Sequence, residues 1–140
     1  MDWIANDDTI IFNPEFNDAE LDIELISGYK ILIFSDYKLN EKLFERYLNN
    51  NLENLKLIYS KFNQNVSALP HTLTHLTFGD RFDQDVSNLP STLTYLTFGF
   101  NFNRDVSNLP HTLTHLTFDY EFNQDVSNLP QGITHIIFGE

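Results

Sequence analysis

The sequence has no cysteine and few glycines. The missing cysteine excludes disulfides, thiolate metal sites and a cysteine nucleophile from all 140 residues. The five glycines form no phosphate-binding loop. No stretch reaches the roughly 18 consecutive apolar residues of a membrane span, and the acidic start of the chain is not a signal peptide. We therefore expect an intracellular, cytoplasmic protein.

Basic residues are also scarce. The chain has eight basic and 20 acidic residues, which gives a formal net charge of −12. Phosphate backbones and anionic lipids repel such a chain, so we expect neither nucleic acid nor membrane as a partner. A basic protein is an easier partner to imagine, although acidity also simply keeps proteins soluble. The hydrophobic fraction of 41% predicts a folded domain rather than a disordered chain.

A repeat of 20 residues dominates the second half of the chain. The coils that start at Phe82 and Phe102 are identical at 13 of 20 positions. The same period places equivalent residues in rows, such as Phe62, Phe82, Phe102 and Phe122. A period of this length predicts a solenoid of stacked coils, since one coil cannot bury its apolar side alone.

One coil combines a strand with a turn-rich return. In the segment 95–98 apolar and polar residues alternate, which predicts a strand with Leu96 and Phe98 inward and Tyr95 and Thr97 outward. Neighbouring strands would lie ~4.8 Å apart in a parallel sheet. Each fully buried side chain contributes about 1.5–3 kcal/mol. The inward positions of one coil are Phe82, Val86, Leu89, Leu93, Leu96 and Phe98.

The first 61 residues carry a faded version of the same pattern. Strand-ending residues recur at spacings of 22, 23, 21, 20, 20 and 20, at Phe12, Phe34, Leu57, Phe78, Phe98, Phe118 and Phe138. We therefore predict one solenoid domain over residues 1–140, with degenerate longer coils in 1–61 and four regular coils in 62–140. Two short helices are predicted in the longer coils, one capped by Asn17 with Glu20 and one by Asn40.

The predicted fold class is thus an α/β-type repeat solenoid. It has a parallel sheet of about seven strands on one face, with irregular turns and the short N-terminal helices on the other.

The repeat resembles a known family. The pattern Phe-Asn-Gln-x-Val-x-x-Leu-Pro-x-x-Leu-Thr-His-Leu-Thr-Phe-Gly, found with small changes in residues 122–139, resembles the FNIP repeat of social amoebae and of giant viruses that infect amoebae. This resemblance implies a leucine-rich-repeat-like solenoid that binds protein, has no enzymatic activity or cofactor, and lies in the host cytoplasm if viral. Viral relatives often carry an F-box-like segment before the repeats, which implies the alternative of a substrate-recognition adaptor of a ubiquitin ligase. Residues 1–61 fit the coil template better than an F-box pattern.

A row of rings is predicted on the outer face of the sheet. It contains His75, Tyr95, His115 and His135. Neighbouring imidazoles could take up adventitious zinc or nickel, but structural zinc usually has four ligands and no others are found nearby. We favour the interpretation that the repeat copies an outward residue, and we predict no metal site.

Two polar rows follow the strands. One holds Asn65, Asp85, Asp105 and Asp125, and the other holds Asn63, Asp83, Asn103 and Asn123. Stacked carboxylates could hold calcium, or they could cap turns one coil at a time. We favour capping, because each carboxylate has local backbone donors and no calcium-loop pattern is present.

No catalytic site is predicted. A catalytic site needs one unique constellation, and the serine, histidine and aspartate residues here come in rows of copies. Rows of copies indicate a binding surface instead. Phe100 and Tyr120 fall in a turn and are predicted to form an exposed pair. The candidate partner-binding surface is His75, Thr77, Tyr95, Thr97, Phe100, His115, Thr117, Tyr120, His135 and Ile137.

The C-terminal strand predicts a contact between two copies. Residues 134–138 would leave one row of backbone groups unpaired, and such an edge invites pairing. The outward threonine is also replaced there by Ile137. We predict a homodimer through this edge strand, with a short, soluble edge as the alternative.

Overall fold

The structure is a computed structural model that describes residues 3–6, 8–12, 29–34, 48, 50–58 and 61–140. The two helices predicted after Asn17 and Asn40 fall outside these residues, apart from Leu48 at the end of the second. The described residues form strands and turns without a helix. The described part of the chain is therefore a β-solenoid, and the predicted α/β class is not supported there. No helix that could cross a lipid bilayer occurs among the described residues.

Eight short strands form one sheet in chain order. They are β1 (Trp3–Asn6), β2 (Thr9–Phe12), β3 (Ile31–Phe34), β4 (Asn54–Lys56), β5 (His75–Thr77), β6 (Tyr95–Thr97), β7 (His115–Thr117) and β8 (His135–Ile137). The strands from β2 to β8 are parallel neighbours, which confirms the predicted sheet of seven parallel strands. The sheet is continuous from the degenerate coils into the regular ones.

The first strand corrects the predicted strand number. β1 pairs antiparallel with β2, with Trp3 opposite Phe12 and Asn6 opposite Thr9. Only two residues separate these strands, which is the length of a tight hairpin connection. The repeat pattern did not predict β1, because an antiparallel hairpin strand lies outside the coil template.

The parallel register aligns equivalent residues of successive coils. Leu76 pairs with Leu96, and Leu96 with Leu116. Backbone hydrogen bonds extend this match beyond the strands: the Phe98 amide donates to the Thr117 carbonyl at 2.9 Å. Equivalent positions of successive coils therefore stack on one another.

Phenylalanines fill the core as two interleaved columns. Phe98 stacks on Phe102 with ring centroids 3.7 Å apart, and the same contact recurs between Phe78 and Phe82 at 3.6 Å. The six inward positions predicted for one coil are all buried, which confirms the predicted core: Phe82, Val86, Leu89, Leu93, Leu96 and Phe98. The core continues into the degenerate coils through Ile10, Leu32, Leu52, Leu55 and Leu57.

Glycine follows the strand end in three of the four regular coils, with Asp119 in the other, and the backbones of successive coils approach closely at Gly99 and Gly139. A Cβ atom on Gly99 would lie 2.5 Å from the carbonyl carbon and oxygen of Gly79. A Cβ atom on Gly139 would likewise lie 2.7 Å from the amide nitrogen of Tyr120. The turn after each strand is therefore packed against the turn of the coil before it.

The stack is curved, with the outward face of the sheet on the inside of the curve. Between the last two coils, the rings of His115 and His135 on the outward face lie 4.2 Å apart. In the core the rings of Phe118 and Phe138 lie 5.5 Å apart, and deeper still those of Phe102 and Phe122 lie 6.1 Å apart. Since these distances join equivalent residues, their increase means that each coil is rotated relative to its neighbour.

Candidate functional site

The first residue of each of the last four strands contributes a ring to the outward face. We call His75, Tyr95, His115 and His135 the ring column. Successive ring centroids are 4.4, 4.1 and 4.2 Å apart, and successive ring planes differ by 8°, 19° and 5°. The parallel register stacks these side chains in the predicted row, because it joins their Cα atoms pairwise.

A threonine precedes each histidine of the ring column and bonds to it. The distance from the threonine Oγ1 to the histidine Nδ1 is 2.8 Å for Thr74 and His75 and 2.9 Å for the pairs 114–115 and 134–135. Each threonine hydroxyl also donates to a backbone carbonyl of the preceding coil, at 3.1 Å from Thr114 to Thr94 and at 3.1–3.2 Å in the other pairs. The rings are thus anchored to the neighbouring coil through their threonines.

These contacts determine the tautomer of the histidines. A hydroxyl has one hydrogen and a carbonyl oxygen can only accept, so a threonine that bonds to both partners gives its hydrogen to the carbonyl. The neutral imidazole must then donate from Nδ1 to the threonine oxygen, which leaves Nε2 without a proton and able to accept. We assign this tautomer to His75, His115 and His135 from the hydrogen-bond network.

Burial favours the neutral form of His75. Partial desolvation lowers its pKa below the ordinary value, and the nearby positive charge of Lys56 lowers it further. Glu53 opposes this shift, and His115 adds to it weakly. His75 therefore stays an acceptor to a lower pH than an exposed histidine does.

The second outward position of each strand carries no acid. Thr77, Thr97 and Thr117 form a half-buried column that ends at the exposed Ile137, and Lys56 occupies the same position in β4. No outward position of β2 to β8 holds a carboxylate, although the chain has a net charge of −12. The acidic residues of the described coils lie elsewhere, chiefly in the turns.

Two further rings lie exposed at the turn after the strands. Phe100 is 42% exposed and Tyr120 is 60% exposed, and their rings stack with centroids 5.4 Å apart. Their turns are held by backbone hydrogen bonds, for example from the Glu121 amide to the Phe100 carbonyl at 3.2 Å. We call Phe100 and Tyr120 the rim pair. Its exposure agrees with the prediction from the sequence.

Comparison with known proteins explains this regular geometry. The sequence pattern of the FNIP Repeat family matches residues 62–101, 82–118 and 100–140, and thus more than half of the chain. The chain belongs to the FNIP repeat family. No curated protein matches the sequence.

One solved structure shares both the fold and part of the sequence. The FNIP chain is similar to CroV588, a giant-virus protein whose crystal structure was described as a novel circular LRR protein structure. The two are 27% identical with a TM-score of 0.57. The match covers 99% of this chain but only 28% of CroV588, so the chain spans less than a third of that relative. The predicted leucine-rich-repeat-like architecture is therefore shown.

The aspartates of the FNIP coils cap their own turns. The Ser107 amide donates to Asp105 Oδ1 at 2.9 Å, and the Ser107 hydroxyl donates to Oδ2 at 2.8 Å. Asp85 and Asp125 make the same two contacts with Ser87 and Ser127. The backbone hydrogen bond, followed by the hydroxyl bond, lowers the pKa of each of these carboxyls. Local capping therefore accounts for this row.

The neighbouring polar row links one FNIP coil to the next. The Asp83 amide donates to Asn63 Oδ1 at 2.9 Å, and the Asn103 amide donates to Asp83 Oδ1 at 3.0 Å. The ladder continues with Asn123, whose amide donates to Asn103 Oδ1 at 3.0 Å. Arg104 adds an ion pair with Asp83 at 2.9 Å. These oxygens are engaged in holding the stack together.

The predicted alternative of a metal on the histidine row has little geometric support. Parallel rings direct the in-plane lone pairs of His115 and His135 along nearly parallel lines, whereas shared zinc requires converging lone pairs. In the described ranges no group of three or more metal-ligating side chains occurs.

Sequence reasoning missed the role of the threonines. Thr92 and Thr112 donate to carbonyl oxygens of the preceding coil, those of Leu73 and Leu93, each at 2.6 Å. The threonines before the rings orient the histidines, as described above. The available signal was their 20-residue recurrence, which is unbroken for Thr74, Thr94, Thr114 and Thr134.

Proposed function

We propose that the chain is a non-enzymatic protein–protein interaction module that binds its partner on the outward face of the sheet. The observation that carries this proposal is the surface formed by the ring column, the threonine column and the rim pair. It is partly exposed, free of carboxylates, and rich in rings on a strongly acidic protein. Aromatic residues are favoured at protein interfaces, whereas acidic ones are depleted there.

The curvature of the stack supports this choice of face. Because the outward face lies on the inside of the curve, side chains from several coils converge towards one partner. Repeat proteins commonly use such concave surfaces for binding. The FNIP family and the similarity to a leucine-rich-repeat protein also favour an interaction module.

The repetition of the outward side chains favours binding over catalysis. The described histidines of the ring column repeat the same two contacts, a threonine at Nδ1 and a ring on the neighbouring coil. A catalytic group needs an environment of its own, which shifts its reactivity away from that of its copies. The face is thus suited to distributed contact.

Affinity capture with matched variants tests the proposal. The face variant carries Tyr95→Glu and Thr117→Glu, and the control carries Ser91→Glu and Gln131→Glu, which lie exposed in the turns. Both add two negative charges. The proposal predicts a protein, captured from an extract of the native cell, that binds the wild type and the control but not the face variant. Retention by the face variant would contradict it.

The same capture experiment distinguishes the proposed interaction module from the rival function, a ubiquitin-ligase adaptor. Residues 9–12, 31–34 and 54–56 are strands of the same sheet as the repeats, so the described part of the N-terminal region favours the coil interpretation. An adaptor would recover the linker subunit of the ligase with both variants. An interaction module without that role would not recover it.

A further inference from the structure

We propose that the ring column recognises the N–H donors of a basic, arginine- or lysine-containing segment, and that protonation of its histidines releases that segment. This inference rests on the proposed function, since it names the partner class for the same face. The occupant is an extended stretch of a partner protein.

The acceptors come from the threonine–histidine pairs. In all three pairs the threonine hydroxyl is directed to a carbonyl, so the neutral histidine donates from Nδ1 and keeps a lone pair on Nε2. Lysine and arginine side chains carry donors and no acceptors, which makes them complementary to such a column. The threonine hydroxyls of the second column can accept as well.

The spacing of the rings suits arginine in particular. Neighbouring rings lie 4.1–4.4 Å apart, so one donor group can reach two successive rings. Arginine presents five N–H donors in a planar fork, and it can also stack on an aromatic ring. Both faces of the Tyr95 ring are covered by His75 and His115, so Tyr95 offers its exposed edge and its hydroxyl, which can accept a hydrogen bond.

The net charge of the chain attracts a cationic segment, and no outward position of the described strands carries a carboxylate that would compete with the ring column for it. The net charge of −12 attracts basic segments over distances of about the screening length, ~8 Å in physiological salt. At close range the outward positions offer neutral acceptors and no carboxylate. Specific contact with the rings is therefore distinguishable from general attraction to the acidic turns.

The shape of the face favours an extended segment over a small molecule. The ring column crosses four parallel strands, a span of roughly 14 Å at ~4.8 Å per strand. One groove of the described part, of about 500 Å³, lies on the turn side and is lined by His111 and residues 127–132, none of which belongs to the ring column. The ring column instead spreads its side chains across four strands.

Protonation acts against binding. It turns each Nε2 into a donor and adds a positive charge opposite the cationic segment. His75 lies near Lys56, Glu53 and Tyr95, and His115 lies beyond Tyr95. The neighbours of His115 in the column are Tyr95 and His135. Only Glu53 among these could offset the new charges, and it already forms an ion pair with Lys30 at 3.1 Å. Affinity is thus full where the histidines are neutral and is lost as they become protonated.

A labelled deca-arginine peptide provides the probe. Its affinity for the wild-type chain is measured by fluorescence anisotropy near pH 7.5 and near pH 5.5, at about 0.15 M salt. We expect binding at the higher pH and about tenfold weaker binding at the lower pH. No binding at the higher pH, or equal binding at both, would overturn the proposal.

Matched variants localise the binding. The double variant His115→Phe with His135→Phe keeps rings in the column but removes two acceptors, and we expect about tenfold weaker binding near pH 7.5 and a smaller response to pH. The control His71→Phe with His111→Phe removes two exposed histidines outside the column and should bind as the wild type does. Unchanged binding by the first variant would mean that the peptide binds the acidic turns only.

Nitrogen NMR of the imidazoles tests the acceptors directly. Near neutral pH we expect Nδ1 protonated and Nε2 unprotonated in His75, His115 and His135. The opposite tautomer in these residues would overturn the inference whatever the peptide does. In the capture experiment, a face-dependent partner that is not basic and is insensitive to pH would overturn this inference alone. Absence of any face-dependent partner would overturn the proposed function.

Discussion

Two coils of almost the same sequence pattern differ sharply in burial. In the coil 82–101 the strand-end Phe98 is 1% exposed, whereas its equivalent Phe138 in the coil 122–140 is 48% exposed. Leu96 is buried and its equivalent Ile136 is exposed. The coil 82–101 packs between two other coils, and the coil 122–140 packs against the coil before it.

This difference shows where the stability of a coil comes from. A coil that keeps its turns and strand still leaves much of its apolar surface in water when one neighbour is missing. The interface between coils, rather than the interior of one coil, therefore supplies most of the hydrophobic stabilisation. Interactions within one coil should by contrast contribute equally to stability in an inner coil and in the last coil.

The largest effect is expected from removing the buried ring. Phe98→Ala should lower the free energy of unfolding by about 3–5 kcal/mol, because it leaves a cavity between Phe78, Phe102 and Phe118. Phe138→Ala should cost roughly 1 kcal/mol, since that ring is already half in water. Urea unfolding of both variants measures the difference. Equal losses would show that the comparison between the two coils is mistaken.

A smaller effect is expected where the backbones of two coils touch. Gly99→Ala should destabilise the chain by about 1–3 kcal/mol, because the new Cβ would lie 2.5 Å from the backbone of Gly79, which cannot move aside easily. The control is Gly132→Ala, whose Cβ would meet backbone oxygens at 3.4 Å. It should change stability by less than about 1 kcal/mol, towards higher stability. Thermal unfolding compares the two, and a neutral Gly99→Ala would contradict the close packing of the turns.

The acid response of the capping aspartates should be the same in an inner coil, at Asp105, as in the last coil, at Asp125. Hydrogen bonds from Ser107 lower the pKa of Asp105, and those from Ser127 lower the pKa of Asp125. A lowered pKa contributes stability above the unfolded value of about 3.9, and this contribution is lost as the pH falls through the folded value. Asp105→Asn and Asp125→Asn should therefore weaken the acid dependence of unfolding by equal amounts. Unequal changes, followed by circular dichroism between about pH 2 and pH 5, would mean that capping depends on the neighbouring coil.

The smallest effect on stability is expected at the exposed outward position of the last coil. Ile137 is 60% exposed, so Ile137→Lys should change the unfolding free energy by less than about 0.5 kcal/mol. We propose that this strand pairs with a second copy, in which case the lysine should lower the solution mass measured by light scattering. A wild-type chain that is monomeric at high micromolar concentration would contradict the pairing, as would a dimer unaffected by the lysine.

Much of the fold was predictable because the period identifies equivalent residues. The strands β2, β3 and β4 were found from a weak pattern in residues 1–61, since Ile10, Leu32 and Leu55 keep the inward position of the regular coils. β1 was not found, because its partner lies across a hairpin and its residues belong to no repeat. The predicted helices fall outside the described residues, so their existence stays a prediction.

The surface was predictable in outline and not in its chemistry. Alternation along the strand placed His115 and Thr117 outward, as the structure has them. The hydrogen bond from Thr114 to the Thr94 carbonyl, however, depends on the distance and rotation between two coils, which no single coil's sequence encodes. The acceptor state of the histidines and the concave shape follow from that rotation. Neither follows from the residues of one coil.

The register of the sheet has a consequence for how such a chain changes length. Because each coil bonds to the equivalent residues of the coil before it, a tandem duplication of one coil's coding segment would insert a unit whose two interfaces already fit. Loss of a whole coil would likewise rejoin two matching surfaces, whereas gain or loss of part of a coil would place unlike residues opposite one another. Recombination within the gene can therefore lengthen the sheet in whole coils that keep the same interface between neighbours.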